Sequence, residues 1–211
     1  MPQVGDLCGR RRLLVVVLAV ALCAAVALSG ALARGASAAA YAHAAGVADG
    51  CANATTRARA ASAPVMRRAV ICLANRERAH YGLPALRESH KLNVSAQNYT
   101  AEMVRRDFFS HTAPNGSTPG ARIAATGFQW SWAGENIASG FSTPLSVVTA
   151  WMNSQGHCYN LLAPVFRDIG VGVSPHSVAG AGGATWTQDF ALPMGAHAPS
   201  RNWGPSNSCP H

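Results

Sequence analysis

Three polar side chains stand where chemistry could be done: His111, Glu135 and His157. His111 lies in "FSHTAPNGSTP", between two aromatics (Phe108 and Phe109) and a run of turn residues. Glu135 lies in "AGENIASG", flanked by Gly134 and Asn136 with Ala133 and Ile137 beyond, a setting in which the carboxylate is expected to be partly buried. His157 lies in "WMNSQGHCYNLL", just past an apolar helical pattern. A buried carboxylate needs partners, because desolvating an unpaired one costs several kcal/mol. Two histidines could supply them as a hydrogen-bonded cluster holding loop to sheet. Two imidazoles and a carboxylate, with one position left for water, could also hold a divalent metal such as zinc. For catalysis, Ser110 adjoins His111, and neighbouring side chains on an extended segment point apart, which argues against a Ser-His pair. Metal-activated water, with Glu135 as base or ligand and the histidines holding the ion, is the better mechanism if the protein is an enzyme.

The elements that must position this trio are legible as periods. In "APVMRRAVICLANRERAHYGLPAL", Val65/Met66, Ala69/Val70 and Leu73 recur at helical spacing, and Gly82-Leu83-Pro84 ends the helix. A second helix follows in "SHKLNVSAQNYTAEMVRRD", with Ser89 as cap and Leu92, Ala96, Tyr99 and Met103 on one face. "STPGARIAATG" predicts a short third helix capped by Thr118 and stopped by Gly127, and Thr143-Pro144 repeats that device for a fourth. Strands are expected in "FQWSWAGENIA", "RDIGVGVSP" and "ATWTQDFAL". Trp151 reads as core, whereas Trp130 and Trp132 share a strand face on which one could rim a cleft. Asn136 and Gln188 are candidate cleft residues that orient their neighbours by hydrogen bonds. Helices first, then a helix among antiparallel strands, point to an α+β domain with helices covering a sheet.

The 211 residues suit one domain with appendages. Arg10-Arg11-Arg12 precedes an uncharged run from Leu13 to Ala33, and small-residue exits occur at 31–33 and 36–38. Residues 1–38 therefore read as a secretory signal peptide; the alternative is an uncleaved anchor, since the run is long enough to span a bilayer. Residues 39–63 read as a flexible linker, 64–193 as the folded domain and 194–211 as a tail. Export makes Cys51, Cys72, Cys158 and Cys209 candidates for disulfides, and four cysteines allow three pairings. The expected pairs are Cys51–Cys72, stapling the segment before the first helix onto it, and Cys158–Cys209, tying down the tail. From Cys51 onward thirteen basic side chains stand against seven acids, a net of +6. That charge suits anionic envelope surfaces. The positives are too scattered, with no aromatic-rich basic stripe, for nucleic acid.

"LANRERAHYGLPAL", "FFSHTAPNGSTPGARIAATG", "AGENIASG", "AWMNSQGHCYNLLAPVFRDIGVGV" and "WTQDF" together resemble, in order and spacing, bacterial CAP-domain proteins. These are the secreted SCP-like members of the cysteine-rich secretory, antigen 5 and pathogenesis-related superfamily. The resemblance covers residues 68 to about 192. It implies an α-β-α sandwich around a small, three-stranded antiparallel sheet, the CAP fold. It also implies a cleft lined by two histidines and two acids, often with a divalent metal. His111 matches the histidine of the "FSH" motif, Glu135 the acid of "GEN" and His157 the histidine of "GH". The second acid has no match, because no carboxylate lies between Glu135 and Asp168. The expected function is a secreted, monomeric binding module of the cell envelope taking a small lipid, glycan or peptide. The alternative is a metal-assisted hydrolase of wall material or peptides.

Overall fold

The computed structural model describes Gly46, residues 48–197 and Cys209. The expected signal peptide and most of the expected tail lie outside these residues. Four helices fall where the periods place them: α1 (Ala63–His80), α2 (His90–Arg106), α3 (Pro119–Ala125) and α4 (Pro144–Met152). A fifth, α5 (Gln155–Leu162), follows α4 after a two-residue break. The strands are β1 (Arg87–Glu88), β2 (Trp130–Phe141), β3 (Asp168–Ser174) and β4 (Ala184–Pro193).

The sheet order is β1-β3-β4-β2, antiparallel except for the two-residue β1, which pairs parallel with β3. The three-stranded antiparallel expectation is thus corrected by one short parallel strand. Two residues carry no readable period, and this pair forms because the chain leaving α1 runs past β3 before turning into α2. Ser89 completes that contact: its backbone N–H donates to the Ile169 carbonyl at 2.9 Å. Ser89 stands at the N-cap of α2 as expected, but its side chain makes no capping hydrogen bond.

Alternation divides the side chains between two layers. Ile169, Val171, Val173, Trp186 and Phe190 point one way, into the main core with α1, α4 and α5. Gly170, Gly172, Glu135, Ile137, Asp189 and Ala191 point the other way, under α2 and α3. A Cβ at Gly170 would lie 2.1 Å from the Leu92 carbonyl carbon, and one at Gly172 would lie 2.3 Å from the Ala96 oxygen. These two glycines let α2 lie directly on β3. Side chains then satisfy the β3 backbone beyond β1. Asn93 Oδ1 accepts from Val171 N–H, while Gln97 accepts from Val173 N–H and donates to its carbonyl. Strand edges left unpaired invite aggregation, and here polar side chains close one.

Residues expected as linker are packed from 48 onward. Cys51, Ala54 and Ala58 are buried in the main core, and Ala58 N–H donates to Ser142 O at 2.8 Å. Small residues without a helical period fill a core corner here instead of spacing domains. Both expected disulfides are present, Cys51–Cys72 and Cys158–Cys209. Trp130 and Trp132 do not share a face. A register shift between them lets Trp130 pack against Gly120, whose carbonyl accepts its indole N–H at 3.0 Å, and turns Trp132 out to 59% exposure.

Candidate functional site

Glu135 sits on β2 directly opposite Asp189 on β4, and Asp189 opposite Gly170 on β3. All three share the α2–α3 face. The Glu135 side chain is 1% exposed, and both of its oxygens are engaged. Oε1 accepts from His111 Nδ1 at 2.8 Å and Oε2 from Arg122 Nη2 at 2.6 Å. A carboxylate only accepts, so the bond fixes the imidazole proton on Nδ1 and leaves Nε2 for the outside. The His111 side chain is 54% exposed.

Arg122 is the centre of this cluster, and sequence reasoning missed it. It comes from α3, whose start is set by Thr118 accepting from Ala121 N–H and by Pro119 in the first turn. Its Nη2 also donates to His111 O at 3.0 Å, and its Nη1 to Ser117 O at 2.8 Å. The guanidinium carbon lies 3.3 Å from the centre of the Tyr99 ring, a cation–π contact in a desolvated setting. Tyr99 in turn donates its hydroxyl to the Ser110 carbonyl, fixing the loop that carries His111. Burial above all pushes the Tyr99 hydroxyl up to about 12, so it stays a donor.

Asp189 is the second acid near Glu135, supplied by a strand rather than by a helix. It is 1% exposed, and neither oxygen closes a hydrogen bond of normal geometry among the described residues. Burial first, then the charge of Glu135, push its carboxyl up to about 8. The nearby Ser95 hydroxyl, with no hydrogen bond of normal geometry among the described residues, and the charge of Arg122 pull the other way and do not offset this.

His157 belongs to α5, on the other layer. Its Nδ1 meets Ser154 Oγ at 2.8 Å, and its carbonyl accepts from Asn136 Nδ2 at 3.1 Å. Burial, then the charge of His111, hold its pKa below the usual histidine value. Asn136 and Gln188 are both 0% exposed and bonded to each other at 3.2 Å. Asn160 Nδ2 joins them to the Glu135 carbonyl. These two amides act inside the sheet–α5 seam and present nothing to a cleft. The structure therefore brings His111 and Glu135 into contact and leaves His157 outside that contact.

A groove of about 430 Å³ opens beside the exposed imidazole. His111 and Glu135 form its polar end, and Pro119, Gly120, Trp130 and Ala133 its apolar side. His157 does not line it. The donor set does not suit a dication: Glu135 already has a guanidinium on one oxygen and an N–H on the other. Among the described residues no three His, Cys, Asp or Glu side chains are placed to hold a metal ion. Ser110 Oγ accepts from Thr112 N–H and makes no bond to His111, so no Ser-His nucleophile is assembled there.

Residues 73–190 match the model of the cysteine-rich secretory protein family, CAP. The chain is 38% identical over 136 residues to the uncharacterized protein YkwD of Bacillus subtilis, covering 64% of this chain and 51% of that one. An extracellular protein containing an SCP domain from Bacillus anthracis is similar in structure, with TM-score 0.56 and 29% identity over 61% of this chain and 41% of that one. An outer surface protein of Borrelia burgdorferi shares the fold at TM-score 0.54 and 22% identity, covering 59% of this chain and 90% of that one. The chain thus spans about half the length of YkwD and less of the Bacillus anthracis protein. With the match extending over more than half of its residues, and with helices layered on both faces of a small sheet, the chain belongs to the cysteine-rich secretory protein (CAP) family.

Proposed function

We propose that the protein is an exported binding module of the cell envelope that holds a small ligand in the groove beside His111. One observation carries this reading: an exposed imidazole, oriented by a buried carboxylate that is itself locked by Arg122, forms one wall of an open groove. Preorganised polar groups at one end and apolar surface along the side are what a small-molecule site requires. A lipid, glycan or peptide fragment fits that division, with a polar head on His111 Nε2 and an apolar body against Pro119 and Trp130. The N-terminal apolar run supports export, as do relatives described as extracellular or outer-surface proteins. The net positive charge supports attraction to anionic envelope polymers, and the protein acts as a monomer in this reading.

The other function to weigh is a metal-assisted hydrolase. The occupied oxygens of Glu135 weigh against it, because activating water through a dication needs a free carboxylate oxygen or a third ligand. Mature protein incubated with purified cell wall and with peptides separates the two. Retention without product release, weakened in His111→Ala, is the expected result. Metal-dependent release of fragments would overturn the binding reading.

A further inference from the structure

A second groove lies at the far end of the sheet. It shares no residue with the His111 groove, and Ala184 and Ala191 lie seven residue steps apart along β4, roughly 20 Å of strand. It has two connected parts that share Arg59. One is a cup of about 70 Å³ bounded by Arg57, Arg59 and Ser142. The other is a trough of about 300 Å³ whose floor is Ala61 and Val173, with His176 at its edge. No acid lines either part. Neither guanidinium has an ion pair or side-chain hydrogen bond among the described residues.

The cup is built rather than incidental. The arginines ride on a short 3-10 turn, Ala58–Ala60, pinned to the sheet end by the Ala58–Ser142 bond and by Leu145 N–H donating to Ala54 O at 2.8 Å. Cys51–Cys72 anchors the same segment to α1. Gly183, at φ +73, lets the β3–β4 turn close down, since a Cβ there would come within 2.5 Å of the Gly140 oxygen. Arg57 and Arg59, both exposed, line an anion-sized cup with no ion pair among the described residues, and two guanidinium groups match the several oxygens and double charge of a phosphate monoester better than the single charge of a carboxylate. The adjoining trough adds Ala61, Ala63, Val173 and Pro175 as apolar lining, and its volume of about 300 Å³ accommodates a short stem.

We infer that this second groove binds a phosphate monoester carried on an apolar stem, the phosphoryl group held by Arg57 and Arg59 and the stem laid over Ala61 and Val173. The test titrates mature protein with hexyl phosphate, hexanoate and inorganic phosphate, and floats it with phosphatidic acid vesicles. Hexyl phosphate should bind saturably, with inorganic phosphate and hexanoate each weaker. The double variant Arg57→Gln, Arg59→Gln should lose roughly tenfold or more in affinity, as expected for removing charge-assisted hydrogen bonds, at unchanged Tm. Ala61→Phe, which fills the trough, should weaken hexyl phosphate and leave inorganic phosphate unchanged, and His111→Ala should affect neither. Flotation that the double variant abolishes marks a lipid headgroup as the source of the phosphate; soluble binding without flotation marks a free phosphomonoester. No saturable hexyl phosphate binding, equal binding by the double variant, hexanoate binding as tightly, or loss in His111→Ala would each overturn the inference.

Discussion

Arg122 decides what the His111 cluster can do. It supplies the positive charge that Glu135 needs and directs Nη1 to the Ser117 carbonyl and Nη2 to the His111 carbonyl as well, so one side chain fixes loop, carboxylate and imidazole together. Removing one partner of a buried ion pair costs about 3–5 kcal/mol. Arg122→Ala is predicted to fall in that range by denaturant unfolding, with the loss reduced in the Glu135→Gln background. Asp189 gives a separate signature. Its folded-state value of about 8 lies above the ordinary aspartate value, so the folded protein keeps a proton that the unfolded chain releases. Its contribution to stability therefore falls as pH rises from about 4 to about 8, by at most about 1.4 kcal/mol per pH unit. Asp189→Asn should be more stable than wild type near pH 8 and flatten that slope; an unchanged slope in urea melts at stepped pH would refute the assignment. His157 should titrate below about 6.5 by NMR and rise partway towards it in His111→Ala, since burial is the larger cause. Of this cluster, His111 and Glu135 were readable because each interrupts an apolar or turn-rich context. Arg122 was not, being one arginine among many in a basic chain. The alternation of β4 does place Asp189 on the polar face, but only the register sets it opposite Glu135.

Helix starts were legible wherever a cap residue precedes proline. Thr143 forms a full capping box with Ser146, and Thr118 caps α3, both at the expected positions. Short elements were not. β1 and α5 are held by tertiary contacts, and the two-residue break between α4 and α5 hides inside one continuous polar-apolar pattern. The bulge that parts Trp130 from Trp132 is likewise invisible to a period-two reading. Close approach of helix to sheet gives the sharpest prediction at this scale. In Gly170→Ala the new methyl would meet the α2 backbone rather than a movable side chain. Overpacking of this kind costs about 1–3 kcal/mol when the surroundings can shift. With backbone in the way, the loss is predicted at the upper end or beyond, with α2 amides showing the largest rise in hydrogen exchange.

Across the molecule, two cross-links and one buried cation tie sequence-distant parts together. Cys51–Cys72 closes a loop with a sequence separation of 21, and opening it by Cys51→Ala, Cys72→Ala should cost about 3 kcal/mol on the chain-entropy model, read as a lower Tm. Arg78, 0% exposed, donates from α1 to the Pro84, Leu161 and Ala163 carbonyls and so fastens α1 to the end of α5. The layered architecture was legible because its long elements carry clean periods. The packing of residues 48–62 was not, since alanine-rich chain looks the same in a core corner as in a linker. The functional reading turns on Arg122 standing as the resident cation of the Glu135 site. Zinc titration by calorimetry on untagged protein probes that role, with wild type, Arg122→Ala and Arg122→Ala, Glu135→Gln compared side by side. Wild type should show no Glu135-dependent zinc binding. Binding should appear in Arg122→Ala, where a carboxylate oxygen is freed beside His111, and vanish again in the double variant. Tight zinc binding by wild type that Glu135→Gln abolishes would show that a metal, not Arg122, belongs at Glu135.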